Sequence, residues 1–126
     1  MAELVVGIDV GTTKIATLVG EVRDDEVNVV GLGVEPSRGI KKGVVNDLRA
    51  ATACIAASVE KAERSAGCEI GRAFVSVAGS HIASMNSRGV VGVGGGSRPV
   101  TQEDLERALD AARAVTIPHN REVLHV

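Results

Sequence analysis

The residues with the greatest chemical capacity lie close together near the start of the chain, in Ile8-Asp9-Val10-Gly11-Thr12-Thr13-Lys14. An apolar strand carries a carboxylate near its end, and a Gly-Thr-Thr turn leads directly into a second strand. Gly11 lets backbone approach a ligand with no Cβ in the way, and successive N–H groups in such a turn form an anion-binding concavity. The hydroxyls of Thr12 and Thr13 can donate to phosphate oxygens, and Lys14 adds a point charge. Asp9 suits Mg²⁺ held through coordinated water, because Mg²⁺ favours carboxylates yet keeps most of its hydration shell. The same residues also suit a plain hairpin whose turn contains Gly-Thr, with Asp9 making local hydrogen bonds. The segment is not a Walker A loop, since no Gly-Lys-Ser/Thr follows a strand and opens a helix. Gly92-Val93-Gly94-Gly95-Gly96-Ser97 is not a dinucleotide fingerprint either, and reads as a flexible connection.

The elements that must position these residues follow from the apolar pattern. Leu4–Val10 reads as a strand buried on both faces, Ile15–Val19 as the returning strand, and Glu26–Val34 as a third after the turn Arg23-Asp24-Asp25. A Gly/Pro-punctuated stretch, Pro36 to Val45, comes next. Asn46 is the expected N-cap of a long helix, Asp47 suits its positive end, and Gly67 suits the position just past its C-terminus. Leu48, Ala51, Ile55, Val59, Ala62 and Ala66 form one apolar stripe, with Glu60, Lys61, Glu63 and Arg64 mostly off it and in water. Ala73–Ala78 reads as a fourth strand, so the order β-β-β-α-β predicts a mixed sheet with a helix packed on it. Further on, Arg88–Val93 reads as a short strand. Thr101 with Asp104 is a capping-box start, followed by a helix with Leu105, Ala108, Leu109 and Ala112 on its apolar face. Arg121–Val126 reads as the beginning of a further strand. The chain stops inside it, as expected of a segment of a longer protein, although a short terminal strand fits the same residues.

Composition narrows the classes. The 126 residues suffice for one ordinary domain and its core. Apolar residues are 44% and charged residues 24%, the balance of a globular protein. With a single aromatic residue, Phe74, and a net charge of −2, the chain offers neither a stacking platform nor a basic footprint, so nucleic acid is not an expected partner. Cys54 and Cys68 are too few for a zinc or disulfide framework, and Cys54 reads as a small buried thiol. No signal peptide or membrane span is read in residues 1–20, and a cytosolic protein is expected. His81 reads as structural, His119 and His125 have no metal spacing, and Lys41 and Lys42 read as exposed. Ser37-Arg38-Gly39 reads as a turn, with contact to the candidate site as the alternative.

The apolar-strand–Asp-x-Gly-Thr-Thr-Lys segment resembles the first phosphate loop of the actin/Hsp70/hexokinase superfamily of ATPases. Further segments narrow the resemblance to the FtsA family: Pro36-Ser37-Arg38-Gly39 through Asn46-Asp47-Leu48, Val77-Ala78-Gly79-Ser80-His81-Ile82, Val100-Thr101-Gln102-Glu103-Asp104, and Arg121-Glu122-Val123-Leu124-His125-Val126. The resemblance implies an α/β, actin-like (ribonuclease H-like) mixed sheet, incomplete here, followed by part of the SHS2-like α+β subdomain 1C. Residues 1–82 would be partial subdomain 1A and residues 83–126 partial subdomain 1C. It implies ATP and Mg²⁺ as cofactors, bound through Asp9, Gly11, Thr12, Thr13 and Lys14, with Asp9 reaching Mg²⁺ via water. It further implies bacterial cell division: filament-forming self-association at the cytoplasmic face of the inner membrane, and recruitment of later divisome proteins through subdomain 1C. FtsZ would be bound through a region absent here, and the membrane through an absent C-terminal amphipathic helix. The implied protein is at most a weak ATPase, and this segment alone would be none. A sugar kinase or a pilus-assembly adaptor of the same superfamily is the alternative.

Overall fold

The computed structural model describes residues 2–126. The chain divides into two compact units, one running through Ala83 and the other Ser84–Val126.

In the first unit, β1 (Glu3–Val10), β2 (Lys14–Arg23) and β3 (Glu26–Pro36) form the expected antiparallel meander. The β2–β3 turn places Asp24 and Asp25 both at positive φ, 50° and 63°. Aspartate tolerates that region, and the paired positive φ matches the twist of the flanking strands. A short ribbon of β4 (Ile40–Lys41) and β5 (Val44–Val45) precedes α1 (Leu48–Ala66). The chain then returns as β6 (Phe74–Val75), which pairs parallel to β1 and completes a mixed sheet of order β3-β2-β1-β6. Parallel neighbours need a crossover, and α1 supplies it.

Side-chain alternation sends Val6, Ile8, Ile15, Thr17 and Val19 to the face that α1 covers. Two buried clusters result. Ile8, Ile15, Ile40 and Ala51 take in Cys54, Ile55 and Val59, whereas Val6, Val19 and Ala62 take in Ala66, Cys68 and Ile70. The helix lies unusually near the edge strand: a Cβ at Gly33 would come within 1.9 Å of the Ser58 carbonyl oxygen and 2.7 Å of the Ala62 nitrogen. Where this close contact buries hydroxyls, they satisfy each other, with Thr17 Oγ1 and Ser58 Oγ 2.5 Å apart and both residues fully buried. Helix side chains also serve the backbone of β3. Ser65 Oγ accepts from Leu32 N at 3.3 Å, Lys61 Nζ donates to Val34 O at 3.2 Å, and Lys61 pairs with Glu35. An edge strand's unpaired groups are thereby partly met.

Several sequence expectations change in detail. The N-cap is Asp47 rather than Asn46: Asp47 Oδ1 accepts from Ala50 N at 3.0 Å, while Asn46 N and Asp47 N both donate to Gly39 O. Gly67 ends the helix at φ 69° as expected. Leu48, placed on the apolar stripe, is 74% exposed because it occupies the first position of the helix. Lys61 and Glu63 are engaged, the latter accepting from Ile70 N at 2.8 Å. β1 is covered on one face only; on the other, Gly7 and Asp9 are exposed, as are Leu18, Leu32 and Val34 beside them. Of the predicted strand 73–78, only Phe74 and Val75 pair, with Ser76 N adding one bond to Ile8 O at 3.0 Å.

In the second unit, α2 (Gln102–Arg113) begins with the predicted capping box: Thr101 Oγ1 accepts from Asp104 N, and the Asp104 carboxylate accepts from Thr101 N. That carboxylate is buried, and Arg98 grips it with two bonds of 2.7 and 2.9 Å. Arg107 joins at 3.3 Å and also donates to Gly92 O. The Arg98 guanidinium foremost, then the Thr101 N–H, hold the Asp104 carboxyl far below the ordinary carboxylate range against the opposing effect of burial. Residues 88–93 and 121–126 form no strand: no ladder partner for them exists among the described residues, and Ser87 Oγ and Arg107 tie the first of these segments to α2 instead.

Two expectations follow. Gly33→Ala should lower unfolding stability by about 1–3 kcal/mol, the range for overpacking a close contact. Gly7→Ala, with open space around it, should change it by about 0.5 kcal/mol or less; urea midpoints of the two variants check this. For Asp104, the folded pKa lies below the ordinary value of 3.8, so its contribution is complete above that value and is lost as pH falls from there toward the folded pKa. Asp104→Asn should therefore melt earlier than wild type at pH 7, and the gap should narrow as the pH drops below about 4; melts followed by helix signal measure both.

Candidate functional site

The β1–β2 register carries Asp9 opposite Ala16 and Val10 opposite Ile15, and the turn beyond closes with Gly11 N donating to Lys14 O at 3.0 Å. A Cβ at Gly11 would lie 2.7 Å from that carbonyl oxygen, so glycine is required by space at this point. Thr12, Thr13 and Lys14 are exposed at the tip. Alternation puts Lys14 on the same sheet face as Ala16 and hence as Asp9, the face away from α1. All five sequence-predicted residues thus share one end of the β1–β2 hairpin.

Two distant stretches of chain meet this end. Gly43 N donates to Thr12 Oγ1 at 3.1 Å. Gly43 sits with Lys42 in the two-residue turn between β4 and β5, with φ of 79° and 51°, the type I′ pattern of tight hairpins. A Cβ at Gly43 would fall 2.4 Å from Ala78 O, so both the backbone conformation and the close approach exclude a side chain. Ser37 N donates to Thr13 O at 3.0 Å, and the Ser37 hydroxyl is buried with no hydrogen-bond partner among the described residues. The Ser37-Arg38-Gly39 segment therefore touches the turn through its first residue, whereas Arg38, Lys41 and Lys42 are exposed.

Asp9 has a partner that the sequence did not reveal. Ser76 Oγ donates to Asp9 Oδ1 at 2.8 Å and accepts from Val10 N at 3.3 Å. Spacing could not have shown this, because Ser76 is brought alongside only by the parallel register of β6 against β1. The Lys42-Gly43 turn carried a readable signal, a glycine-containing pair flanked by the β-branched residues Ile40, Val44 and Val45.

Chemically, the assembly offers exposed hydroxyls, a lysine and a glycine-only turn for an anion, with one oriented carboxylate beside them. The fit to a phosphate group rests on the exposed Thr12, Thr13 and Lys14 at the tip and the unsatisfied Ser37 hydroxyl next to Thr13. No group of three or more His, Cys, Asp or Glu side chains suited to a metal occurs among the described residues. A Mg²⁺ ion carried by phosphate oxygens and water needs only one carboxylate from the protein, which Asp9 can supply.

Residues 79–126 match the family of SHS2 domains inserted in FtsA. The chain is 48% identical over 124 residues to the cell division protein FtsA of Pseudomonas aeruginosa, and 47% identical over 124 residues to that of Borreliella burgdorferi. It is 42% identical over 125 residues to that of Escherichia coli K12. Each alignment takes in 98% of this chain but only 29%, 30% and 29% of the respective relative, so the chain spans about three tenths of their length. With a mixed sheet bearing the Asp-x-Gly-Thr-Thr-Lys turn, the chain is thus similar through nearly all of its residues to about three tenths of the FtsA cell division proteins, and its residues 79–126 to the SHS2 domain inserted in them.

Proposed function

We propose that residues 9–14 are the first phosphate-binding turn of an actin-like, ATP-binding division protein. Thr12, Thr13 and Lys14 take phosphate oxygens, Gly11 closes the turn that presents them, and Asp9 receives Mg²⁺ through coordinated water. The observation that carries this reading is the convergence of a glycine-only turn, exposed hydroxyls, a lysine and a Ser76-held carboxylate at one sheet end. The FtsA relatives support it at the level of family.

On this reading the chain supplies one wall of a nucleotide cleft, and the rest of the cleft belongs to parts of the relatives outside the matched stretch. Residues 1–82 serve as part of subdomain 1A and residues 83–126 as part of subdomain 1C, the latter contacting later divisome proteins. The whole protein polymerises on the cytoplasmic face of the inner membrane, as a peripheral protein at the division site, and anchors FtsZ filaments there. Among the described residues no helix is long and apolar enough to cross a membrane; the proposed attachment is through an amphipathic helix outside the matched stretch. Any chemistry is phosphoryl transfer from ATP to water, in which positioning and charge neutralisation do the catalytic work.

The test uses a full-length chimaera in which this chain replaces the matching residues of the Pseudomonas aeruginosa relative. It should bind ATP in the presence of Mg²⁺, sediment with lipid vesicles and retain FtsZ filaments on them. Lys14→Ala and Asp9→Asn should each weaken Mg²⁺-dependent ATP binding by about tenfold or more, the scale for losing one bond to a charged group. The isolated 126-residue chain should show no saturable ATPase. Unchanged nucleotide affinity in both variants would remove the phosphate-turn reading, and a chimaera indifferent to FtsZ would remove the scaffold reading.

A further inference from the structure

Resting on the phosphate-turn reading above, we propose that Ser76 is a positioning residue for the metal-facing carboxylate, a role that links β6 to the nucleotide site. A serine hydroxyl has one proton to donate and lone pairs to accept with. Val10 N, at 3.3 Å, occupies an acceptor position of Ser76 Oγ. The hydroxyl proton is then committed to Asp9 Oδ1, 2.8 Å away. A carboxylate attached at Cβ otherwise rotates broadly about its last torsion. Held at one oxygen, Asp9 keeps its other oxygen, Oδ2, for the water shell of a cation.

The position of Ser76 is fixed by backbone as well as by side chain. Its own N–H donates to Ile8 O at 3.0 Å, continuing the ladder of Gly7 with Phe74 and Ile8 with Val75 by one bond. The next N–H along β1, that of Val10, has the Ser76 hydroxyl as its partner in place of a strand carbonyl. Parallel pairing therefore stops where a side chain takes over, and that side chain also holds the only carboxylate of the turn. Outer-shell partners of this kind orient the groups that meet a metal or its waters, and their removal typically costs ten- to a hundredfold in metal affinity or activity. Alanine at 76 would leave the backbone bond to Ile8 O intact and remove only the hold on Asp9 and Val10. Threonine would retain the hydroxyl.

The experiment measures ATP affinity of the full-length chimaera as a function of Mg²⁺ concentration, and again in excess EDTA, for wild type, Ser76→Ala, Ser76→Thr and Asp9→Asn. Ser76→Ala should raise the Mg²⁺ concentration for half-maximal ATP binding by about tenfold, leave the EDTA affinity unchanged, and be rescued by Ser76→Thr. A purely structural serine predicts a different pattern: a lower urea midpoint with an unaltered Mg²⁺ dependence, which would overturn the proposal. Equal Mg²⁺ dependence in Ser76→Ala and wild type, with Asp9→Asn impaired, would also overturn it while leaving the phosphate turn standing. An Asp9→Asn protein with normal Mg²⁺ dependence would instead remove the reading of Asp9 on which both depend.

Discussion

The seat of α1 on the sheet is the constraint from which the candidate site follows. At Gly33 the helix backbone comes so near β3 that even a methyl group would meet the Ser58 carbonyl. Polar groups buried at such a contact need partners, since an unsatisfied hydroxyl costs about 1–3 kcal/mol; Thr17 and Ser58 provide them for each other. Lys61 and Ser65 then fasten the helix to the backbone of β3. With the helix fixed over β2 and β3, the chain that leaves it runs back on the far side of β1, and only the parallel direction is open to it there. Ser76 comes beside Asp9 as a consequence of that path. A carboxylate on the first strand is oriented by a residue 67 positions later in sequence, through a crossover whose geometry is set by glycine and small side chains.

Local features were legible in the sequence because their physics is local. The meander, the long helix, its terminal Gly67 and the Thr101–Asp104 capping box all depend on residues within a few positions of one another. The turn at 11–13 is equally readable, with Asp9 on the strand before it and Lys14 opening the strand after it. Errors arose where two neighbours compete for one role. Asn46 and Asp47 both suit an N-cap, and the role falls to Asp47, whose carboxylate accepts from Ala50 N. Long-range partners left no trace at all. Lys61 reads as a solvated charge and instead reaches Val34 O, 27 positions away.

The predicted strands that do not form have a common explanation. A strand is defined by its neighbour, and apolar alternation in 88–93 or 121–126 specifies only that a neighbour would be acceptable. In the second unit the described residues provide none, so Ser87 and Gly92 bond to α2 instead. The first unit shows the related effect on a sheet face. β1 reads as apolar on both sides, which suits a sheet covered on both sides. α1 covers one of them, leaving Leu18, Leu32 and Val34 with exposures of 43%, 50% and 41%. The inner face, where alternation and cover agree, is where the core lies.

This division explains why the turn motif by itself is an insufficient statement of the site. A loop that opens a helix draws its phosphate donors from one continuous segment and from the helix end. The 9–14 turn opens a strand, so it has no helix terminus to add and must gather partners from elsewhere. It gathers them at three points: Gly43 on the Thr12 hydroxyl, Ser37 on the Thr13 carbonyl, and Ser76 on Asp9. Each belongs to a different stretch, and each is in place only when the sheet, the β4–β5 ribbon and the crossover are all formed. A hairpin of the same local sequence would keep its Gly-Thr-Thr turn and lose all three contacts. The arrangement at this end of the sheet is therefore a property of the folded unit, and the two-residue pairing of β6 with β1 is the slender link through which the carboxylate shares in it.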